Sequence, residues 1–115
     1  MAYSGSASYS ANDFALECYG CPPGQFGIFY YGPNQILNSF GNGFRCVGGL
    51  TQRLYPITRA NSYGTAARSL NLNAAPVLGT IVPGTAWNFQ LWYRDQGGPG
   101  GNGFNVSDGL NVAFQ

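Results

Sequence analysis

Four carboxylates are the acids of this chain: Asp13, Glu17, Asp95 and Asp108. Asp13 and Glu17 lie four residues apart, which on an extended strand puts them on one face about 13 Å apart. The carboxyl pairs of glycoside hydrolases sit roughly 5–9.5 Å apart, so this pair suits no such reaction on a straight strand. Asp95 and Asp108 flank a glycine-rich stretch. Together with Asn105, Asn102 and backbone carbonyls they are calcium candidates, since calcium takes roughly six to eight oxygens. The competing reading gives Asp95 an arginine partner and Asp108 a turn-capping role, because no spaced Asp/Asn ladder is present. The chain has no histidine. That removes Ser-His-Asp and Cys-His hydrolysis and imidazole metal sites. The sequence therefore predicts no catalytic residues, no cofactor and no enzyme.

Cys18 and Cys21 stand in Cys-Tyr-Gly-Cys, followed by Pro22-Pro23-Gly24. A thioredoxin-like dithiol needs this spacing at a helix N-terminus, whereas these flanks read as strand and turn. A zinc site wants roughly four ligands, and only Cys46 remains as a third thiol. The expected arrangement is one disulfide from Cys46, to Cys21 in preference to Cys18. The third thiol is left for another chain or segment. Closing the Cys21–Cys46 loop would contribute roughly 3.5 kcal/mol on a chain-entropy argument.

The most suggestive binding residues are Asn88, Gln90, Trp92 and Arg94. Period-two alternation puts them on one face of a strand, opposite Trp87, Phe89, Leu91 and Tyr93. Tryptophan beside amide and guanidinium groups suits a sugar ring, which stacks on the indole while its hydroxyls bond the neighbours. Tyr30 and Tyr31 would widen that platform. The alternative is that Trp92 is covered by the glycine-rich stretch or by the edge of a second sheet. Arg68 shares a face with Ala66, Leu70 and Leu72, and is expected as a half-buried arginine with a carbonyl or carboxylate partner.

These residues need strands to position them. Asp13–Cys18, Gln25–Tyr31, Phe44–Val47, Leu50–Thr58, Thr65–Leu72, Ala86–Arg94 and Leu110–Phe114 read as extended segments. Pro56 marks an edge or a bulge in the fourth of them. Gly32-Pro33-Asn34 and Gly41-Asn42-Gly43 read as turns, and Gln96–Asn105 as a glycine-rich loop. Gly41-Asn42-Gly43-Phe44 recurs as Gly101-Asn102-Gly103-Phe104, which reads as one turn chemistry used twice. A short helix near Asn71–Ala75 is an open alternative. The pattern predicts an all-β fold, a two-sheet antiparallel β-sandwich of Ig-like or jelly-roll-like type with seven to eight short strands. Its predicted core is Phe14, Leu16, Trp87, Phe89, Leu91, Val112 and Phe114.

Composition sets the class of partner. Of 115 residues, 44% are hydrophobic and 16% aromatic, which excludes a disordered tail. The length gives one domain, residues 1–115. Charged residues are 8% and the net charge is +1, against an average of about 25% charged. Phosphate binding needs a dense basic patch, so nucleic acid is not an expected partner. No run of about 18 apolar residues is present, so membrane insertion is not expected either. Met1-Ala2 followed by Ser-Gly-Ser reads as the start of an excised module, with residues 1–3 an appended or flexible lead. No basic segment followed by an apolar one opens the chain, so no signal peptide is expected within it. Few charges, no lysine, and many Gly, Asn and Tyr fit a secreted or cell-surface location, as does the presence of cysteines.

Several stretches carry a resemblance: Pro22-Pro23-Gly24-Gln25-Phe26-Gly27, Phe44-Arg45-Cys46-Val47-Gly48-Gly49, Pro83 to Gln90 with Trp92-Tyr93-Arg94-Asp95, and Ser107-Asp108-Gly109-Leu110. Together with the opening Ser4-Gly5-Ser6-Ala7, they resemble a domain at the C-termini of large secreted proteins of planctomycetes and other environmental bacteria. The resemblance spans nearly the whole chain. It implies an extracellular, non-catalytic end module and supplies no catalytic residues. Some members have a cysteine near the C-terminal end, where this chain has Val112-Ala113-Phe114-Gln115. The expected function is an accessory module that binds an extracellular polysaccharide. The alternative is a structural or assembly domain that contacts other surface proteins or copies of itself through exposed strand edges.

Overall fold

Alternating sequence becomes extended backbone wherever one face finds a core. A computed structural model describes residues 1–98 and 101–115, and these form ten strands and no helix. They are β1 (Ala2–Ser4), β2 (Ala15–Cys18), β3 (Phe26–Gly32), β4 (Asn34–Phe40), β5 (Gly43–Gly48), β6 (Gln52–Arg59), β7 (Ala66–Ser69), β8 (Ala86–Asp95), β9 (Gly103–Val106) and β10 (Leu110–Ala113). All pairings are antiparallel. The strand count exceeds the seven or eight expected. The additional strands lie in segments that alternation does not mark: residues 2–4, residues 34–40, and part of the expected loop over Gln96–Asn105. Pro99 and Gly100 of that loop lie outside the described residues. The Asn71–Ala75 segment forms turns.

β1, β2 and β7 form a three-stranded sheet in that order. A five-stranded sheet runs β10-β8-β3-β6, with β9 also on β8. β8 is the axis of this sheet. β3 lies along one edge of it, while β10 pairs with its first half and β9 with its second, end to end along the other edge. Ser107 bridges the gap between β9 and β10. Its N–H donates to Leu91 O, and its Oγ accepts from Leu91 N–H, each at 2.9 Å.

The two sheets meet through aromatic side chains. The Phe14 ring lies 5.7 Å from Phe89 and 5.1 Å from Phe114, centroid to centroid. Leu16, Phe29, Leu54 and Leu91 complete the centre of the core, with Leu72, Val77 and Ile81 contributed by the connector before β8. Burial of each large apolar side chain contributes roughly 1.5–3 kcal/mol. Of the seven core residues expected from the sequence, six are buried and Trp87 is half-buried. Its indole N–H needs a partner and donates to Thr85 Oγ1 at 3.0 Å.

β4 and β5 form a separate hairpin. It lies over the other face of the five-stranded sheet, where Cys46 N–H and Phe44 O of β5 bond the side chain of Gln90 in β8. The central strands are thus covered on both faces, which is why residues 88–91 are buried without alternation. β6 is an edge strand, and its pairing with β3 shifts register between Gly27 and Phe29, across the segment that contains Pro56. Edge and irregularity together accommodate a residue with no N–H to donate.

Candidate functional site

The face expected to bind ligand divides into a covered half and an open half. Asn88 and Gln90 lie in the covered half, 4% and 0% exposed. Gln90 Oε1 accepts from Tyr30 OH and from Cys46 N–H, and Gln90 Nε2 donates to Phe44 O and Ser107 O. All four hydrogen-bonding positions of the amide are therefore committed within the protein. Asn88 Nδ2 donates to Gly32 O at 3.3 Å, and Asn88 Oδ1 accepts from Asn111 at 2.8 Å. The expectation that these two amides face a ligand is corrected: they fasten the hairpin and the strand ends to β8. Tyr31 is corrected as well. It points into the core at 1% exposure, packed against Trp87 and Phe89. Tyr30 is buried, with its hydroxyl on Gln90, and it lines a cleft. Burial pushes the Tyr30 phenol up to about 12, with Arg45 opposing and Cys46 adding to the rise.

Trp92 and Arg94 lie in the open half. Trp92 is the wall between two clefts. On one side a cleft of about 410 Å³ is lined by Phe26, Ile57, Arg94, Asn102 and Phe104 among others. On the other a cleft of about 320 Å³ is lined by Tyr30, Phe40, Arg45, Thr51 and Arg53. The indole is fixed by edge contacts with Phe40 and Phe104, at 5.6 and 5.9 Å between centroids. Phe40 and Phe104 also meet edge-on at 5.3 Å, so three aromatic rings brace one another. Phe26 and Ile57, at 46% and 54% exposure, keep the larger cleft apolar at its rim.

Guanidinium groups surround this aromatic cluster. Arg53 stacks over Trp92 at 5.5 Å, Arg45 over Tyr30 at 5.7 Å, and Arg59 over Phe26 at 5.5 Å. Such contacts contribute roughly 0.5–2 kcal/mol each, according to how far the cation is desolvated. Arg45 Nε donates to Val47 O and Arg45 Nη2 to Thr51 Oγ1, which holds the side chain across the cleft. The sequence points to neither cleft as such, because Phe40, Arg45, Arg53 and Phe104 come from four different strands, β4, β5, β6 and β9. The one available sign is the repeated Gly-Asn-Gly-Phe, whose two copies meet beside Trp92.

The remaining candidates are dispersed. Asp95 accepts from Asn105 Nδ2 at 3.3 Å at one end of β9, with no arginine partner. Asp108 lies beyond the other end of β9 and pairs with the Met1 amine at 2.6 Å. Of the calcium candidates, Asp95 and Asn105 therefore meet while Asp108 stands apart, and no cluster of three or more possible metal-ligating side chains occurs among the described residues. Asp13 accepts from Ser6 N–H and Oγ, which hold its carboxyl below the usual range. Glu17 is bonded by Tyr19 OH. Arg68 is half-buried and donates to Tyr55 O and Ser69 O.

The Cys21–Cys46 disulfide is not formed; all three cysteines are free thiols. Cys18 and Cys21 belong to the core between the two sheets. Cys46 is on the hairpin that covers the opposite face, so the five-stranded sheet stands between them. Cys21 lies instead beside Cys18, its Sγ 3.7 Å from the Cys18 carbonyl. No family model, curated protein or solved structure matches this chain.

Proposed function

We propose that this chain is a non-catalytic, extracellular module that holds polysaccharide in the clefts on either side of Trp92. The packed three- and five-stranded sheets serve as an Ig-like or jelly-roll-like β-sandwich scaffold in this reading. The observation that carries it is the position of Trp92: a braced indole bordering two clefts, with apolar and guanidinium groups at their rims. Aromatic walls take the apolar faces of sugar rings, and side-chain donors take their hydroxyls. The absence of histidine and the engagement of the four carboxylates with four different partners support binding without turnover. The resemblance to an end module of large secreted proteins is in keeping with such a role.

Titration of the chain with a panel of soluble polysaccharides tests this, with Trp92→Ala as the control. Weak binding, micromolar to millimolar, that falls at least tenfold in Trp92→Ala is expected. Absence of binding across the panel, or binding indifferent to Trp92→Ala, overturns it. A second reading, self-assembly at the cell surface, is favoured by exposed Leu37, Phe44 and Leu50 on and beside the hairpin. Light scattering that shows concentration-dependent oligomers would support that reading, and a strict monomer would remove it.

A further inference from the structure

The arginines around Trp92 are cations without carboxylate partners. The four acids are engaged elsewhere, with Ser6, Tyr19, Asn105 and the Met1 amine. Among the described residues the only ion pair is that of Met1 with Asp108. Arg45, Arg53 and Arg94 line the two clefts, Arg59 stacks on Phe26 at the rim, and no acidic side chain lines either cleft. A nearly neutral chain has thus placed four of its five arginines on one face. A concave site lined by one sign of charge concentrates its field there. Arg45 commits two of its N–H groups within the protein, and Arg53 commits one, to Tyr55 OH at 3.5 Å. The planar guanidinium fork matches a carboxylate, and these donors face a cleft of about 320 Å³, large enough for part of a sugar ring.

We propose that the cleft between Arg45, Arg53 and Trp92 selects an acidic polysaccharide, taking the carboxylate of a uronate residue on the two guanidinium groups. This rests on the polysaccharide-binding reading above and narrows it to one substrate class. Stacking on Tyr30, Phe40 and Trp92 holds both guanidinium groups in place before the ligand arrives, which reduces the ordering cost of binding.

The test is affinity electrophoresis or calorimetry of the full chain with polygalacturonate and, in parallel, a neutral galactan. Arg53→Gln is the first variant, because Arg53 has few bonds to the fold; Arg45→Gln and Arg53→Lys are the others. Thermal melts establish that each variant is folded. The expected result is binding to polygalacturonate at least tenfold tighter than to galactan. That preference is lost in Arg53→Gln, partly kept in Arg53→Lys, and weakened by added salt. Equal affinity for both polymers, or an undiminished preference in Arg53→Gln, overturns the acidic specificity and leaves polysaccharide binding standing. Binding of neither polymer, in a chain that binds nothing else on the panel, overturns both.

Discussion

Asn102 reaches across to Asn42 and joins the two copies of Gly-Asn-Gly-Phe. The Asn102 N–H and Nδ2 both donate to Asn42 Oδ1 at 3.1 Å, and Nδ2 also donates to Gly41 O at 3.0 Å. In return Asn42 N–H donates to Phe104 O at 3.1 Å. The hairpin tip is thereby tied to β9, which carries Phe104 against Trp92. Gly41 has φ +57, and a Cβ there would run into the Phe104 ring and approach its carbonyl to 2.8 Å. Close approach and left-handed backbone both call for glycine at this position.

Loss of this tie should loosen the clefts before it unfolds the protein. Asn102→Ala is expected to destabilise the chain by about 1 kcal/mol, in line with exposed side-chain bonds. The exchange protection of the Asn42 amide should fall, while that of Leu91, deep in β8, stays unchanged. Hydrogen exchange with site resolution reads both amides. Gly41→Ala should have a larger effect on the same readout.

Gln90 ties four segments together: β3 through Tyr30, β5 through Phe44 and Cys46, β8 by its own backbone, and the β9–β10 connection through Ser107. A buried polar group left without its partner costs about 1–3 kcal/mol, and Gln90→Leu strands several at once. We expect a loss of about 3 kcal/mol or more in urea denaturation. The largest gain in exchange should fall on β4 and β5, which reach the rest of the fold partly through this side chain.

The same residue marks where the sequence stops being legible. Alternation identifies β8 because Phe89 and Leu91 face a core, and it assigns Asn88 and Gln90 to the other face correctly. The step from polar to solvent-exposed fails, because the hairpin covers that face and bonds Gln90 through its backbone, while Gly32 O of β3 and the Asn111 side chain of β10 take Asn88. β4 has exposed Gln35, Asn38 and Ser39 and no burial rhythm, so nothing local marks it as a strand. β9 carries Gly103 and Asn105 and is extended because it pairs with the far half of β8. Of the cleft walls, the alternation and aromatic content mark Trp92, Arg94 and Tyr30, and the repeated Gly-Asn-Gly-Phe marks the contact beside Trp92. The other walls come from strands that only the sheet order brings together. The relation of Cys46 to Cys21 likewise depends on which face the hairpin covers.

Thiol accessibility checks that relation directly. Cys18 and Cys21 are buried in the core and Cys46 is partly exposed. The hydrogen bond with the neighbouring Cys21 thiol, together with burial, pushes the Cys18 thiol up, which lowers its reactivity further. Alkylation of the native protein without reductant should label Cys46 first, followed by Cys18 and Cys21 only on unfolding. Mass mapping of the labelled peptides reads the order. Native protection of Cys46 by a bond to Cys21 would contradict the arrangement of the sheets.

Alkaline stability should report the buried phenol between the hairpin and the five-stranded sheet. Tyr30 is pushed up to about 12 by burial, while an unfolded tyrosine titrates near its ordinary value of about 10. Below pH ~10 both states hold the proton and this stabilisation is fully present. Between pH ~10 and about 12 the unfolded chain ionises first, so stability falls as pH rises, by on the order of 2–3 kcal/mol for this group. Tyr93, pushed up to about 12 by burial and then by Asp95, adds to the same fall. The unfolding free energy from urea melts at a series of pH values should therefore drop steeply over that window. In Tyr30→Phe the drop should be shallower, whatever that variant's stability at neutral pH. An unchanged slope in Tyr30→Phe would mean that the hairpin does not seal the phenol from water.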